Sequence, residues 1–109
     1  MDALKAPVAY VRKNYMKNIC LKELADITHL SISALERRFK KYLRQTPKQF
    51  INEVRLENAR RLLIETNIAI ATIANDTGFA DHSYFSRQFQ KLFERSPSAF
   101  RQDHCSNNT

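Results

Sequence analysis

Glycine occurs once in this chain of 109 residues, at Gly78, and proline only three times. With so few breakers and few β-branched runs, a fold built on strands and tight hairpins is disfavoured, and helices joined by short turns are expected. Two cysteines, Cys20 and Cys105, lack metal-ligand spacing, and Cys105 sits in a polar tail. No metal site and no stabilising disulfide are expected, which fits a reducing, cytoplasmic setting. No apolar stretch approaches the roughly 20 residues that span a bilayer. Met1-Asp2-Ala3-Leu4 leads directly into charged residues, so no signal peptide is visible. Catalytic constellations are missing too. His29, His82 and His104 are scattered. There is no Ser/His/Asp order, carboxylate pair or glycine-rich phosphate loop. No catalytic residue, no cofactor and no small-molecule site is therefore expected, and the chain does not read as an enzyme.

What the chain has in excess is positive charge. Its formal net charge is +7, and its apolar content of 43% is enough for one small domain or two subdomains. Between residues 37 and 61 fall Arg37, Arg38, Lys40, Lys41, Arg44, Lys48, Arg55, Arg60 and Arg61, opposed by Glu36, Glu53 and Glu57. A basic concentration in one region suits a polyanion.

The most organised stretch is 73–101, IANDTGFADHSYFSRQFQKLFERSPSAFR. Ile73, Ala74 and Thr77 belong to a short helix that should stop at Gly78, where a left-handed backbone is tolerated. Asp81 can accept from the first free N–H groups of a following helix. In that helix Phe85, Phe89 and Phe93 recur at i, i+4 and i+8 as one apolar stripe. Ser83, Arg87, Gln90 and Glu94 lie opposite. Helix, sharp turn, then a helix with an aromatic back and a polar front is the pattern of a helix-turn-helix.

The pattern occurs twice. Residues 34–50 (ALERRFKKYLRQTPKQF) align with 84–100 (YFSRQFQKLFERSPSAF). Arg37 falls on Arg87, Phe39 on Phe89, Lys41 on Lys91, Pro47 on Pro97 and Phe50 on Phe100. Upstream, Leu24-Ala25-Asp26 matches Ile73-Ala74-Asn75 after a one-residue shift. Repetition of a whole supersecondary unit points to two copies of one DNA-reading unit.

In chain order, Leu4, Val8, Val11 and Tyr15 mark a first helix, expected over 7–17 with Pro7 in its first turn. Leu21, Leu24, Ala25 and Thr28 mark a second. Ser31 or Ser33 can cap a third, and Ser33-Ala34-Leu35-Glu36 has capping-box spacing. That helix buries Leu35, Phe39 and Leu43 and turns Ser33, Arg37, Lys40 and Arg44 outward. Thr46-Pro47 and Ser96-Pro97 are matching starts, cap followed by proline. The first opens a long fourth helix to about residue 65, on the order of 28 Å long. Its apolar residues change face: Phe50, Ile51 and Val54 at one end, Leu56, Ala59, Leu62 and Leu63 at the other. A helix of that length could space two reading helices about 34 Å apart, one DNA turn.

These residues resemble the AraC/XylS family of bacterial transcription regulators. The second unit carries the denser signature: Ile73-Ala74, Gly78-Phe79, Asp81, Ser83-Tyr84-Phe85-Ser86-Arg87, Phe89, Lys91, Phe93, Ser96-Pro97 and Phe100-Arg101. Arg55-Leu56, Ala59 and Leu62-Leu63 match the family's linker helix. The resemblance covers roughly 4–101. It implies an all-α fold of seven helices, with two helix-turn-helix subdomains (1–45 and 67–101) joined by a linker helix (46–66). A polar, disordered tail is expected at 102–109.

Position by position, the family's base-reading residues fall on Ser33, Glu36 and Arg37, and on His82, Ser83 and Arg87. Lys40, Lys41, Arg44, Ser86 and Lys91 are placed for phosphates, which orient the protein without specifying sequence. The family commonly has glycine where this chain has His29, Arg44 and Glu94. Modest strain is expected at His29, and differently capped helix ends at Arg44 and Glu94. The function implied is a sequence-specific double-stranded DNA-binding regulator of transcription. It would act as a monomer, contact RNA polymerase, and associate with the nucleoid. The alternative is a protein-interaction module that keeps the fold without reading DNA.

Overall fold

Residues 2–106 are described by a computed structural model, and among them the chain forms seven α-helices. These are α1 (Asp2–Asn14), α2 (Leu21–Thr28), α3 (Ile32–Leu43), α4 (Pro47–Glu65), α5 (Ile70–Asp76), α6 (His82–Phe93) and α7 (Pro97–Ser106). The chain divides into two units inside α4, one ending at Val54 and the other starting at Arg55.

In the N-terminal unit, α1 starts five residues before the expected Pro7, at Asp2. Pro7 therefore lies in the second turn, where its ring removes one early backbone bond and is itself fully buried. The helix also stops short of 17, at Asn14, whose side chain turns back to donate to the Tyr10 carbonyl at 2.9 Å. At the start of α2 the Glu23 carboxylate accepts from the Cys20 N–H at 3.2 Å and from the Tyr10 hydroxyl, tying α1 to α2. The cap of α3 is Ser31, whose Oγ accepts from the Ala34 N–H at 3.1 Å. Ser33 is already inside the helix, so the expected box from Ser33 to Glu36 does not form. A reciprocal box forms instead at α4: Thr46 Oγ1 accepts from the Gln49 N–H, and Gln49 Oε1 accepts from the Thr46 N–H.

Leu4, Val11, Leu24, Ala25, Leu35, Phe39, Phe50, Ile51 and Val54 pack as the core of this unit. The C-terminal core comprises Leu56, Ala59, Leu63, Ile73, Ala74, Phe79, Phe85 and Phe89, with Phe93 and Phe100 packed against it. The change of face along α4 is thus a change of core, and the switch falls between Val54 and Leu56. Burial of each large side chain contributes roughly 1.5–3 kcal/mol.

Asp81 caps α6, accepting from the Tyr84 N–H at 3.1 Å, and Ser96 caps α7, accepting from the Ala99 N–H at 3.2 Å. The last helix runs beyond the expected tail boundary to Ser106. Two contacts hold the extra turns: Arg95 pairs with Asp103 at 2.7 Å, and the His104 ring stacks on Phe100. The disorder expected for 107–109 concerns residues outside those described. Arg101 has a structural task. Its Nε donates to the Leu63 carbonyl and its Nη2 to the Thr66 carbonyl, satisfying acceptors left open at the end of α4.

Candidate nucleic-acid interface

Each candidate face is set by the turn before it, and both turns use the same bonds. Thr28 Oγ1 donates to the Leu24 and Ala25 carbonyls; Thr77 Oγ1 donates to those of Ile73 and Ala74. The Leu30 N–H then reaches the Ala25 carbonyl at 3.0 Å, and the Phe79 N–H reaches that of Ala74 at 2.9 Å. These reverse bonds close the helix C-terminus and fix the angle at which the chain leaves it. The left-handed residue is His29 in the first turn (φ 57°) and Gly78 in the second (φ 107°).

Beyond the turns, α3 and α6 begin in register. Ser33 and Ser83 are each the second residue of their helix, and Arg37 and Arg87 each the sixth. Phe39, Phe85 and Phe89 are completely buried, which forces the polar side of each helix outward. On α3, Ser33, Glu36, Arg37, Lys40 and Lys41 border one open concavity. Arg44, just past the helix, is exposed as well. On α6, His82, Ser83, Arg87 and Lys91 are exposed, while Ser86 is half-buried. The His82 ring leans towards Phe85, 6.1 Å between centroids.

The helix ends differ from expectation. Arg44 (φ 56°) and Glu94 (φ 61°) adopt the left-handed conformation that glycine would take, and their N–H groups bond the Lys40 and Gln90 carbonyls. The capping geometry is kept without glycine, at a steric cost on the order of 1 kcal/mol per residue.

The structure also redistributes the basic cluster. Arg60 pairs with Glu57 and lies over the Phe93 ring. Arg61 bonds Asn58 and pairs with Glu65. Arg55 is half-buried, and burial lowers its pKa from the ordinary arginine value, with Tyr84 acting in the opposite sense. The cations that remain on a common exposed element are those of α3: Arg37, Arg38, Lys40 and Lys41, with Lys41 sitting over the Tyr42 ring at 5.3 Å. Arg38 belongs to this exposed set although only its charge marked it in the sequence. Thr28 and Thr77 mark helices in the sequence and Arg101 belongs to the family signature, but their bonds to backbone carbonyls leave no sequence pattern. The Thr-Pro-Lys-Gln run at 46–49 did carry the signal for its capping box.

A family model described as a helix-turn-helix domain matches residues 24–103. A crystal structure from Chromobacterium violaceum, described as a transcriptional regulator of the AraC-type DNA-binding domain-containing proteins, superposes with a TM-score of 0.89 at 29% identity. It covers 94% of this chain and 92% of that one. The chain belongs to the AraC/XylS family. Among curated relatives, this AraC-type domain is 35% identical over 100 residues to the HTH-type transcriptional activator RhaS of Pectobacterium carotovorum, covering 92% of this chain and 36% of the relative. It is 40% identical over 93 residues to the bifunctional transcriptional activator/DNA repair enzyme AdaA of Bacillus subtilis, covering 85% and 44% respectively. The AraC-type domain thus spans less than half the length of these two relatives. No helix among the described residues is long and apolar enough to cross a membrane.

Proposed function

We propose that this AraC-type domain binds double-stranded DNA sequence-specifically and regulates transcription, with α3 and α6 as its two reading helices in successive major grooves. The observation that carries the reading is the duplicated outward face: serine at the second position, arginine at the sixth, exposed on both helices. Arginine can bond guanine O6 and N7 bidentately, while serine, histidine and glutamate can read single base edges. Ser33, Glu36 and Arg37, with His82, Ser83 and Arg87, are assigned to bases. Lys40, Lys41, Arg44 and Lys91 are assigned to phosphates, with Ser86 a partial contributor because of its burial.

Two readers on one chain favour binding as a monomer. RhaS and AdaA are both named transcriptional activators, which supports activation. Contact with RNA polymerase and a place on the nucleoid belong to the same proposal. The reading assigns no catalysis to the chain; AdaA's name joins repair to activation, and the chain covers 44% of that protein. The test is selection of bound sequences from a random duplex library, with affinity followed against salt. Two enriched boxes and one chain per duplex are expected. No enrichment with a steep salt slope would leave only non-specific adhesion.

A further inference from the structure

Arg44 and Glu94 occupy the same place in the two repeats. Each follows the last residue of its reading helix in nearly the same backbone conformation, φ 56° and ψ 31° against φ 61° and ψ 18°. Both are exposed, and among the described residues neither belongs to an ion pair. Equivalent backbone positions therefore project opposite charges. The C-terminal end of a helix is partially negative, so Arg44 complements it and Glu94 opposes it. The last helical turns differ in the same sense, Lys40 and Lys41 closing α3 and Lys91 alone closing α6, while Arg95, next to Glu94, is paired with Asp103.

We propose that this opposition gives the domain two modes of holding DNA. On duplex of arbitrary sequence the α3 unit alone holds phosphates, and Glu94 keeps the α6 unit from settling. On the specific site the base contacts of α6 overcome that repulsion and both units dock. The inference rests on the DNA-reading function proposed above. Its physical basis is that phosphate attraction is independent of sequence, so a unit with little of it stays only where bases hold it. Glu94 acts here as a specificity-determining residue: it makes engagement of α6 conditional on sequence.

The test uses the whole chain with two fluorescent duplexes of equal length, one selected from the library and one scrambled, titrated over a range of salt. Wild type must first prefer the selected duplex; equal binding would sink the DNA-reading function itself and is distinct from every outcome below. Arg44→Gln is expected to weaken both duplexes several-fold and to lower both salt slopes by about one. Lys91→Gln is expected to weaken the selected duplex several-fold and leave the scrambled one unchanged. Glu94→Arg should tighten binding to the scrambled duplex and make it sensitive to Lys91→Gln. The proposal is overturned if Lys91→Gln weakens scrambled DNA as much as Arg44→Gln does, or if Glu94→Arg leaves scrambled binding untouched. Arg44→Gly, which removes the charge while favouring the left-handed backbone, should match Arg44→Gln; wild-type binding by that variant would overturn the role of charge.

Discussion

The two halves of the domain build one device from different materials. The bonds of the turn are the same, down to the threonine that donates to carbonyls three and four residues back. The N-terminal core is mainly aliphatic, with Phe39 and Phe50 at 5.8 Å between ring centroids. The C-terminal core is a chain of rings, in which Phe89 meets Phe85 at 5.8 Å, Phe93 at 4.6 Å and Phe100 at 5.5 Å. Geometry at a helix-turn-helix is thus fixed by backbone bonding and by where the apolar side points. The identity of the apolar residues is free to vary.

The largest expected effect comes from the cores. Phe89→Ala should destabilise by about 3–5 kcal/mol, since it leaves a cavity and removes three ring partners at once. Phe39→Ala, with one ring partner, should fall towards the low end of the same range. Urea unfolding followed by circular dichroism measures both. An equal or larger loss for Phe39→Ala would mean that the rings add nothing beyond their buried area.

Next come the faces. Arg37→Ala and Arg87→Ala should each cost about 1–3 kcal/mol on the selected site and relax specificity at one position. Library selection repeated with each variant shows which box loses definition. Equal losses on selected and scrambled DNA would reassign either arginine to phosphate.

What could be read in the sequence follows from the range of the forces involved. The repeat, the buried stripes of α3 and α6, and the switch of face in α4 are patterns of burial, and burial leaves periodicity. Helix ends are decided by single hydrogen bonds and are less visible. Ser31 and Ser33 are both good caps, and only the turn geometry chooses Ser31. The extension of α7 depends on Asp103 meeting Arg95 and His104 meeting Phe100. The role of Arg101 needs the end of α4, 35 residues away, to be present. The candidate face was legible as charge, but the sequence did not reveal that Arg60 and Arg61 are tied up on α4.

A smaller effect separates the two turns. Gly78 holds φ 107°, where a Cβ is poorly accommodated, so Gly78→Ala should destabilise by about 1–2 kcal/mol. His29 already pays part of that cost at φ 57°, so His29→Gly should stabilise, by about 0.5–1 kcal/mol after the added freedom of the unfolded chain is counted. Thermal melts of the two variants decide it. A destabilised His29→Gly would mean that the imidazole makes a compensating contact.

The smallest effect depends on pH and belongs to the N-terminal unit. The Tyr10 hydroxyl donates to Glu23, and that bond, with the Cys20 N–H, holds the Glu23 carboxyl below its ordinary value. The same bond raises the Tyr10 phenol. A lowered carboxylate contributes stability above its unfolded pKa, about 4.3, and loses it as pH falls through the folded value. A raised phenol contributes below its unfolded pKa, about 10, and loses it as pH rises through the folded value. The tie between α1 and α2 should therefore loosen at both extremes and be intact between them. Both groups are only partly buried, so solvent screening keeps the effect small. Amide exchange in α1 and α2 is the sensitive readout. Acidification from neutral pH should lower protection there, and Tyr10→Phe should remove most of that dependence. Unchanged pH dependence in Tyr10→Phe would place the acid sensitivity of this unit elsewhere.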